Sequence, residues 1–219
     1  MRLRFPNWKR FSLRSLFVLM TLCCFAFGVW GAYVSPYRLQ MQSLVALNRL
    51  EGSSKPVADE GPGWQRWLVT KLLGDEAFVR IEAVDLSNRK VTAKDLRSLS
   101  GLCFLKTLFL DYTKVTDDSL GTLRSMPGLR NLSLRYTNIS DPGVKHISAL
   151  SNLRNVTLTG SKISDGAIDD LARLKQLNTL FIRWTRITSA GAERLQKELP
   201  NCEIYHHSLF DNVATAESK

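Results

Sequence analysis

Aromatic and arginine side chains recur in this sequence at multiples of one interval. Tyr136 follows Tyr112 by 24 residues, and Trp184 follows Tyr136 by 48. Arg135 and Arg183 are also 48 residues apart. Aromatic and arginine residues contribute most of the binding energy at protein interfaces. If the interval reflects a structural repeat, these side chains share one surface, and the chemistry they indicate is non-covalent recognition.

Residues suited to catalysis or metal binding are few and scattered. The three histidines are His146 and the pair His206 and His207, with no thiol or carboxylate cluster beside them in the sequence. The acidic pairs at 117–118 and 169–170 fall in predicted helices, where capping and solvation explain them. The sequence has no glycine-rich phosphate loop and no G-x-S-x-G motif. We therefore expect no catalytic residues, no metal site and no cofactor.

The interval of 24 belongs to a repeat that covers more than half of the chain. Five rows begin at aliphatic residues: Ile81, Leu105, Leu129, Leu153 and Leu177. A position within a row is called a column. Columns one, four and six are aliphatic in every row, and column eleven is always Val or Ile. The resulting L-x-x-L-x-L spacing is that of a leucine-rich repeat.

Each row predicts a strand, a turn and a short helix. The L-x-x-L-x-L segment has period two, which favours a strand with one apolar face. Column twelve is Ser or Thr in every row and predicts helix N-caps, with Asp often following it at the positive helix end. Column nine is Ser or Thr in four rows, and such hydroxyls can partly replace the asparagine ladder that ties turns together in many such repeats. No row can bury its apolar face alone, so stacking must create the core.

The chain resembles membrane-anchored bacterial leucine-rich-repeat proteins. The resemblance rests on the T-x-[VI]-[ST]-[D/A] turns, the terminal LPNCEI and an apolar segment upstream, and its repeat part covers residues 81–204. It implies an α/β fold, a right-handed leucine-rich-repeat solenoid. It also implies a non-catalytic protein that uses the curved strand face to contact protein or glycan partners.

Columns five, seven and eight lie between the leucines and are expected to point outward along the concave face. The candidate ligand-binding residues are the larger side chains in these columns: Phe109, Asp111, Tyr112, Arg135, Tyr136, Phe181, Arg183 and Trp184. The alternative is that the rings only pack on their neighbours across the sheet.

Two further columns are basic. Column two holds Lys106, Arg130 and Arg154, and column ten holds Lys90, Lys114, Lys162 and Arg186. Either these side chains are simply solvated, or an anionic partner offsets their repulsion. An acidic glycan, a lipid headgroup or an acidic protein would each suit.

The N-terminus has the pattern of a signal anchor. Residues 1–14 carry five basic and no acidic residues, and residues 15–34 carry no charge. Twenty helical residues span about 30 Å, the thickness of the hydrocarbon core. The charge asymmetry predicts one transmembrane helix with a cytoplasmic N-terminus and an extracytoplasmic repeat domain, periplasmic or on the cell surface. Cleavage as a signal peptide would instead release a secreted soluble binder or inhibitor.

The remaining segments complete the predicted organisation. The pattern predicts a juxtamembrane helix and linker over residues 35–63, a capping helix over residues 64–80, the repeat domain over residues 81–204, and a polar tail over residues 205–219. The net charge of +10 includes the five charges of residues 1–14, so the rest of the chain has 25 basic and 20 acidic residues. This near balance argues against nucleic acid as a partner. The sequence leaves the oligomeric state open.

Overall fold

The computed structural model describes residues 79–207 without a gap, and before them residues 28, 31, 40, 43–45, 47–58 and 70–71. The predicted transmembrane helix, residues 15–34, therefore lies outside the described residues apart from two positions. The predicted capping helix, residues 64–80, does so apart from positions 70–71 and 79–80. In the described part of the chain, no helix is both long enough and apolar enough to cross a bilayer.

One seven-stranded sheet runs through the described domain in sequence order. Its strands are β1 Ser53–Ala58, β2 Val79–Asp85, β3 Thr107–Phe109, β4 Asn131–Ser133, β5 Asn155–Thr157, β6 Thr179–Phe181 and β7 Glu203–Tyr205. Strand β1 pairs antiparallel with β2, and all later pairs are parallel. In the parallel part each residue lies opposite the residue 24 positions later, as Leu108 lies opposite Leu132. Each predicted row thus supplies one strand in the predicted register.

A short helix follows each strand from β2 to β6. These helices are α1 Ala93–Ser98, α2 Asp117–Leu120, α3 Asp141–Ile147, α4 Ile168–Leu171 and α5 Ser189–Glu198. Short 3₁₀ helices at Leu99–Gly101, Gly121–Ser125 and Asp165–Ala167 extend or precede them. The repeated strand, turn and short helix, stacked in a 24-residue register, form a leucine-rich-repeat-like α/β fold.

The core is one continuous cluster built from equivalent columns. Column six illustrates it, because Leu110, Leu134, Leu158 and Ile182 are all completely buried. Full burial of a leucine or isoleucine side chain stabilises the fold by roughly 1.5–3 kcal/mol relative to its exposure. Since a row shares its apolar faces with its neighbours, the cluster stabilises the whole array and not single rows.

Column thirteen, and not column nine, joins the rows through side chains. The hydroxyls of Thr113, Thr137 and Thr185, in column nine, donate to carbonyls three residues earlier in their own rows, at 2.6–2.8 Å. The prediction that column nine ties successive turns together is therefore wrong, because these hydroxyls are used within their own turns.

An aspartate of column thirteen, at the start of the helical segment, bonds to the next row. One carboxylate oxygen of Asp117 accepts the amide of Ser140 at 2.9 Å, and the other accepts its hydroxyl at 2.5 Å. Asp141 holds Ser164 in the same way, and Asp165 holds Thr188. We call this arrangement the aspartate clamp.

Glycine makes room for the aspartate clamp. A Cβ added at Gly143 would lie 2.3 Å from the carboxylate of Asp117, and one at Gly191 would lie 2.2 Å from that of Asp165. At column fifteen, Gly143 and Gly191 thus let the carboxylates of Asp117 and Asp165 approach the next helix start closely.

The region before the repeats differs from the predicted linker. The composition of residues 51–63 predicts a linker, yet β1 lies within them and covers the free edge of β2. Leu47 belongs to the buried core, and the Gln40 side chain accepts a hydrogen bond from the Ile81 amide at 3.3 Å. An open sheet edge leaves backbone groups unpaired, which explains why this polar segment pairs there despite its Gly, Ser and Pro content. The register shifts between Lys55 and Pro56, where proline lacks the amide that the ladder needs.

The array also ends later than predicted. The sequence predicts a polar tail from residue 205, but β7 includes Tyr205. The His206 ring bonds to the Ile187 carbonyl at 3.0 Å, and the His207 carbonyl accepts the Trp184 amide at 2.9 Å. The sixth, partial row therefore extends to residue 207.

The aspartate clamp can be tested on two adjacent aspartates of α2. Asp117→Ala removes both bonds to Ser140, and we expect a loss of about 2 kcal/mol in the free energy of unfolding, measured by urea denaturation. Asp118→Ala is the matched control, because Asp118 is exposed and lies in the same first helical turn as Asp117. Its substitution should lower the free energy of unfolding by less than about 1 kcal/mol. Equal losses in the two variants would show that the carboxylate acts only on its own helix.

Candidate binding surface

The candidate residues of columns seven and eight lie in a turn and not on the strand. The strands end at column five, and the next exposed positions form a tight turn. At column eight every row has a left-handed backbone: φ is 62° at Asn88, 56° at Tyr112, 51° at Tyr136, 70° at Gly160 and 55° at Trp184. The prediction that columns seven and eight continue the strand is wrong, because this conformation turns the chain away from the sheet.

Hydrogen bonds between rows hold these turns in place. The amide of Tyr112 donates to the Arg135 carbonyl at 2.8 Å, and that of Tyr136 donates to the Thr159 carbonyl at 2.8 Å. These bonds continue the parallel ladder beyond each strand. The left-handed conformation costs roughly 1–2 kcal/mol for a residue with a side chain, which Gly avoids and Asn reduces. Rows one and four carry the well-suited Asn88 and Gly160, whereas rows two, three and five carry aromatic residues.

The three aromatic residues of column eight form a continuous stack. The rings of Tyr112 and Tyr136 are 4.9 Å apart at their centroids and 18° from parallel. Those of Tyr136 and Trp184 are 6.1 Å apart and inclined by 30°. A large part of each residue remains exposed: 55% of Tyr112, 42% of Tyr136 and 45% of Trp184. We call these three residues the aromatic stack.

Gly160 allows the aromatic stack to cross row four. Tyr136 and Trp184 are two rows apart, roughly 10 Å at the usual strand spacing, so their rings could not touch if each stood over its own row. A Cβ at Gly160 would lie 2.5 Å from the Tyr136 ring. The missing side chain lets Tyr136 lean over row four and reach Trp184.

A second pair of rings lies at the C-terminal end of the sheet. Phe181 and Tyr205 stack at 4.6 Å and 11°, and the Arg183 guanidinium lies 5.7 Å from the Tyr205 ring centroid. Sequence reasoning missed Tyr205 because its row is incomplete, although it follows Phe181 by the same 24 residues. Phe109 is 39% exposed and stands apart, without a ring contact among the residues that the structure describes.

Small side chains separate the aromatic residues of column five. Ser133 and Thr157 occupy this column in rows three and four, and both are buried. Phe109 and Phe181 stand on either side of them, three rows or about 14 Å apart. The strand face therefore carries small side chains in rows three and four and large ones in rows two and five.

Asp111 supports the turn more than it faces a ligand. Its carboxylate accepts the Ser133 hydroxyl at 2.5 Å and the Arg135 amide at 2.9 Å. The Arg135 side chain is 4.0 Å from the same carboxylate and is half exposed. Arg183 is exposed as well. Both arginines thus lie beside the aromatic stack, with their charged groups open to solvent.

The structure brings most of the eight predicted residues together, although not as one flat patch. Tyr112, Tyr136 and Trp184 touch through their rings, and Arg135 and Arg183 precede two of them in the chain. Packing on neighbours and exposure occur together, since each ring contacts another ring while a large part of each residue stays exposed. The role of these residues in binding stays a prediction.

Two titratable groups of the last, partial row have raised pKa values. Burial, and then the charge of Glu203, raise the pKa of the Cys202 thiol to about 11, so almost no thiolate forms at neutral pH. The hydrogen bond to Glu203 raises the pKa of the Tyr205 hydroxyl, and the Glu203 charge and burial raise it further against a lowering by Arg183. Within the described residues, no three His, Cys, Asp or Glu side chains are grouped as metal ligands.

Comparison with known proteins gives matches among solved structures only. No protein-family model and no curated protein matches the chain. A leucine-rich-repeat protein of Leptospira interrogans is 25% identical over 49% of this chain and 27% of its own, with a TM-score of 0.41. The leucine-rich-repeat ectodomain of the receptor kinase SOBIR1 from Arabidopsis thaliana is 14% identical over 78% of this chain and 92% of its own, with a TM-score of 0.45. Internalin C2 from Listeria monocytogenes is 16% identical over 83% and 94%, with a TM-score of 0.39.

The place of Gly160 under Tyr136 yields a stability prediction. In Gly160→Ala, the left-handed backbone alone should lower the free energy of unfolding by about 1–2 kcal/mol. A further loss should come from the displacement of the Tyr136 ring by the new methyl group. In a Tyr136→Ala background the additional loss should disappear, since the ring is gone. Gly121→Ala is the control, because its new Cβ would meet His146 at an ordinary 3.6 Å. Urea unfolding measures all four variants, and an unchanged stability of Gly160→Ala would contradict the stack.

Proposed function

We propose that this chain is a non-catalytic, membrane-anchored leucine-rich-repeat protein that displays a binding surface outside the cytoplasmic membrane. Its ligand is a protein or a glycan, and its binding residues are those of the aromatic stack with the neighbouring Arg135 and Arg183. The observation that carries the proposal is the exposure of three large rings in a backbone conformation unfavourable to them.

The residue types at column eight support selection for binding. The turn itself needs only a residue that tolerates positive φ, and Asn88 and Gly160 meet that need at lower cost. Strained residues concentrate where a protein binds or reacts. Aromatic residues in three of five rows therefore point to a use beyond the turn.

The ring geometry favours a protein over a glycan. Sugars bind aromatic side chains mainly through the open face of the ring. In the aromatic stack the inner faces cover one another, because the rings are inclined by only 18° and 30°. Tyrosine and tryptophan combine an apolar ring with a polar group, which suits the mixed polar and apolar contacts of a protein interface.

The anchor and the outside location rest on the N-terminal sequence. Five basic residues precede a 20-residue uncharged segment, a pattern that retains the N-terminus in the cytoplasm and translocates the remainder of the chain. The repeat domain would then face the periplasm or the cell surface, where its turns are open to partners.

One crosslinking experiment on intact cells tests both binding and display. A membrane-impermeant crosslinker should join the full chain to its partner, and the variant Tyr112→Asn, Tyr136→Asn, Trp184→Asn should reduce that product about tenfold or more. Asparagine is chosen because row one has it at the same column, so the variant should fold at least as stably. The control, Lys94→Ala, Lys145→Ala, Lys197→Ala, changes three exposed residues of the helices and should leave the product unchanged.

Several outcomes would contradict the proposal. Equal products from the wild type and the asparagine variant would remove the aromatic stack from the binding site. A product seen only with a membrane-permeant crosslinker would place the repeats inside the cell. A shortened chain recovered from the medium would support the secreted alternative.

A further inference from the structure

We infer that the partner presents an acidic, extended peptide segment, which binds along the turns of columns seven to ten. This inference rests on the proposed function and specifies the partner's chemistry at the same surface. We call this part of the molecule the turn edge; it lies where the parallel strands end and the helices begin. In open parallel sheets the carboxyl ends of the strands are the usual location of ligand sites.

Most cations of the turn edge lack a matching anion. Seven basic side chains lie along it, all of them exposed: Arg89, Lys90, Lys114, Arg135, Lys162, Arg183 and Arg186. Arg89 is 2.8 Å from Glu51 and Arg135 is 4.0 Å from Asp111, and the other five form no ion pair within the described part of the chain. Some basic residues elsewhere have close acidic partners, since Lys106 is 2.6 Å from Glu82 and Arg194 is 2.6 Å from Asp169.

The acidic groups near the turn edge already have partners. Asp111 holds Ser133 and the Arg135 amide, and Glu203 accepts the Tyr205 hydroxyl at 3.1 Å. The carboxylates of the aspartate clamp bond to the next row and face the amide ends of their helices, which offset their charge. The cations therefore have no free carboxylate to pair with among the described residues of the turn edge.

The cations and the rings form one electropositive strip. Lys90 and Lys114 belong to adjacent rows, as do Lys162 and Arg186, and like charges on neighbouring strands repel. The aromatic stack belongs to the same turns, at column eight. Carboxylates would offset the repulsion between the cations, whereas water and salt only screen it.

The dimensions of the strip suit a peptide. From Lys90 in row one to Arg186 in row five there are four row spacings, about 19 Å, which an extended segment of about six residues spans. A peptide can place carboxylates against the cations and apolar atoms against the aromatic stack between them. The faces that Tyr112 and Tyr136 turn toward each other are closed to a sugar ring.

Direct binding of an acidic peptide to the full chain in detergent tests the inference. The probe is fluorescein-labelled hexaglutamate, followed by fluorescence anisotropy at roughly 20 mM salt, where screening is weak. The variant Lys114→Gln, Arg135→Gln, Lys162→Gln, Arg183→Gln should bind the probe about tenfold or more weakly. Each removed charge costs only a fraction of the energy of an exposed ion pair, and the four losses add up to that change. The matched control, Lys94→Gln, Arg124→Gln, Lys145→Gln, Lys197→Gln, removes the same net charge from exposed positions on the helical side and should bind as the wild type does.

Competing ligands make the result decisive. Unlabelled hexaglutamate should displace the probe, and hexaglutamine should not. Stronger displacement by polygalacturonate, or by the soluble lipid headgroup glycerophosphoglycerol, would overturn the peptide in favour of a glycan or a membrane. Equal weakening in the two glutamine variants would show attraction to overall charge only and would also overturn it. If hexaglutamate fails while the asparagine variant of the aromatic stack still loses its crosslinked partner, binding stands and only the acidic partner is wrong.

Discussion

The structure depends on a parallel hydrogen-bond ladder that repeats every 24 residues and continues past the strands into the turns. The amide at column six donates to the next row's column five, and the amide at column eight donates to the next row's column seven, as in Leu110 to Ser133 and Tyr112 to Arg135. The second bond fixes the turn with its backbone at positive φ. Because every row obeys the same register, equivalent side chains come into line, and the surface chemistry follows from which residue occupies each column.

Glycines allow close contacts between neighbouring rows at both ends of the turn. On the helix side, Gly143 and Gly191 let the aspartate clamp reach the next row. On the strand side, Gly160 lets Tyr136 cross row four to Trp184. Rows are thus joined by backbone, by carboxylate and by ring contacts, while the leucine core supplies the common apolar burial. The exposed rings are fixed by these contacts, which reduces the entropy that a partner would need to offset on binding.

The sequence was sufficient for the repeat, its register and the strand–turn–helix order, because one apolar pattern recurs in five rows. It failed where a contact depends on two rows at once. The bond from Asp117 to Ser140 and the crossing of Tyr136 over Gly160 cannot be predicted from a single row. The left-handed turn at column eight was also missed, because Tyr and Trp rarely adopt this conformation, although Asn88 and Gly160 in the same column are typical of it. Strand β1 was missed because its Gly, Ser and Pro content resembles a linker, and Tyr205 because its row is incomplete.

Amide hydrogen exchange at column eight tests most directly whether the ladder holds the surface in place. If it does, the amide protons of Tyr112 and Tyr136 exchange within about tenfold of those of Leu110 and Leu134, since all four belong to the same cooperative ladder. Exchange at Tyr112 and Tyr136 as fast as in an unfolded chain, with Leu110 and Leu134 still protected, would contradict it. The turns would then be mobile, and the aromatic stack would not be a preformed surface.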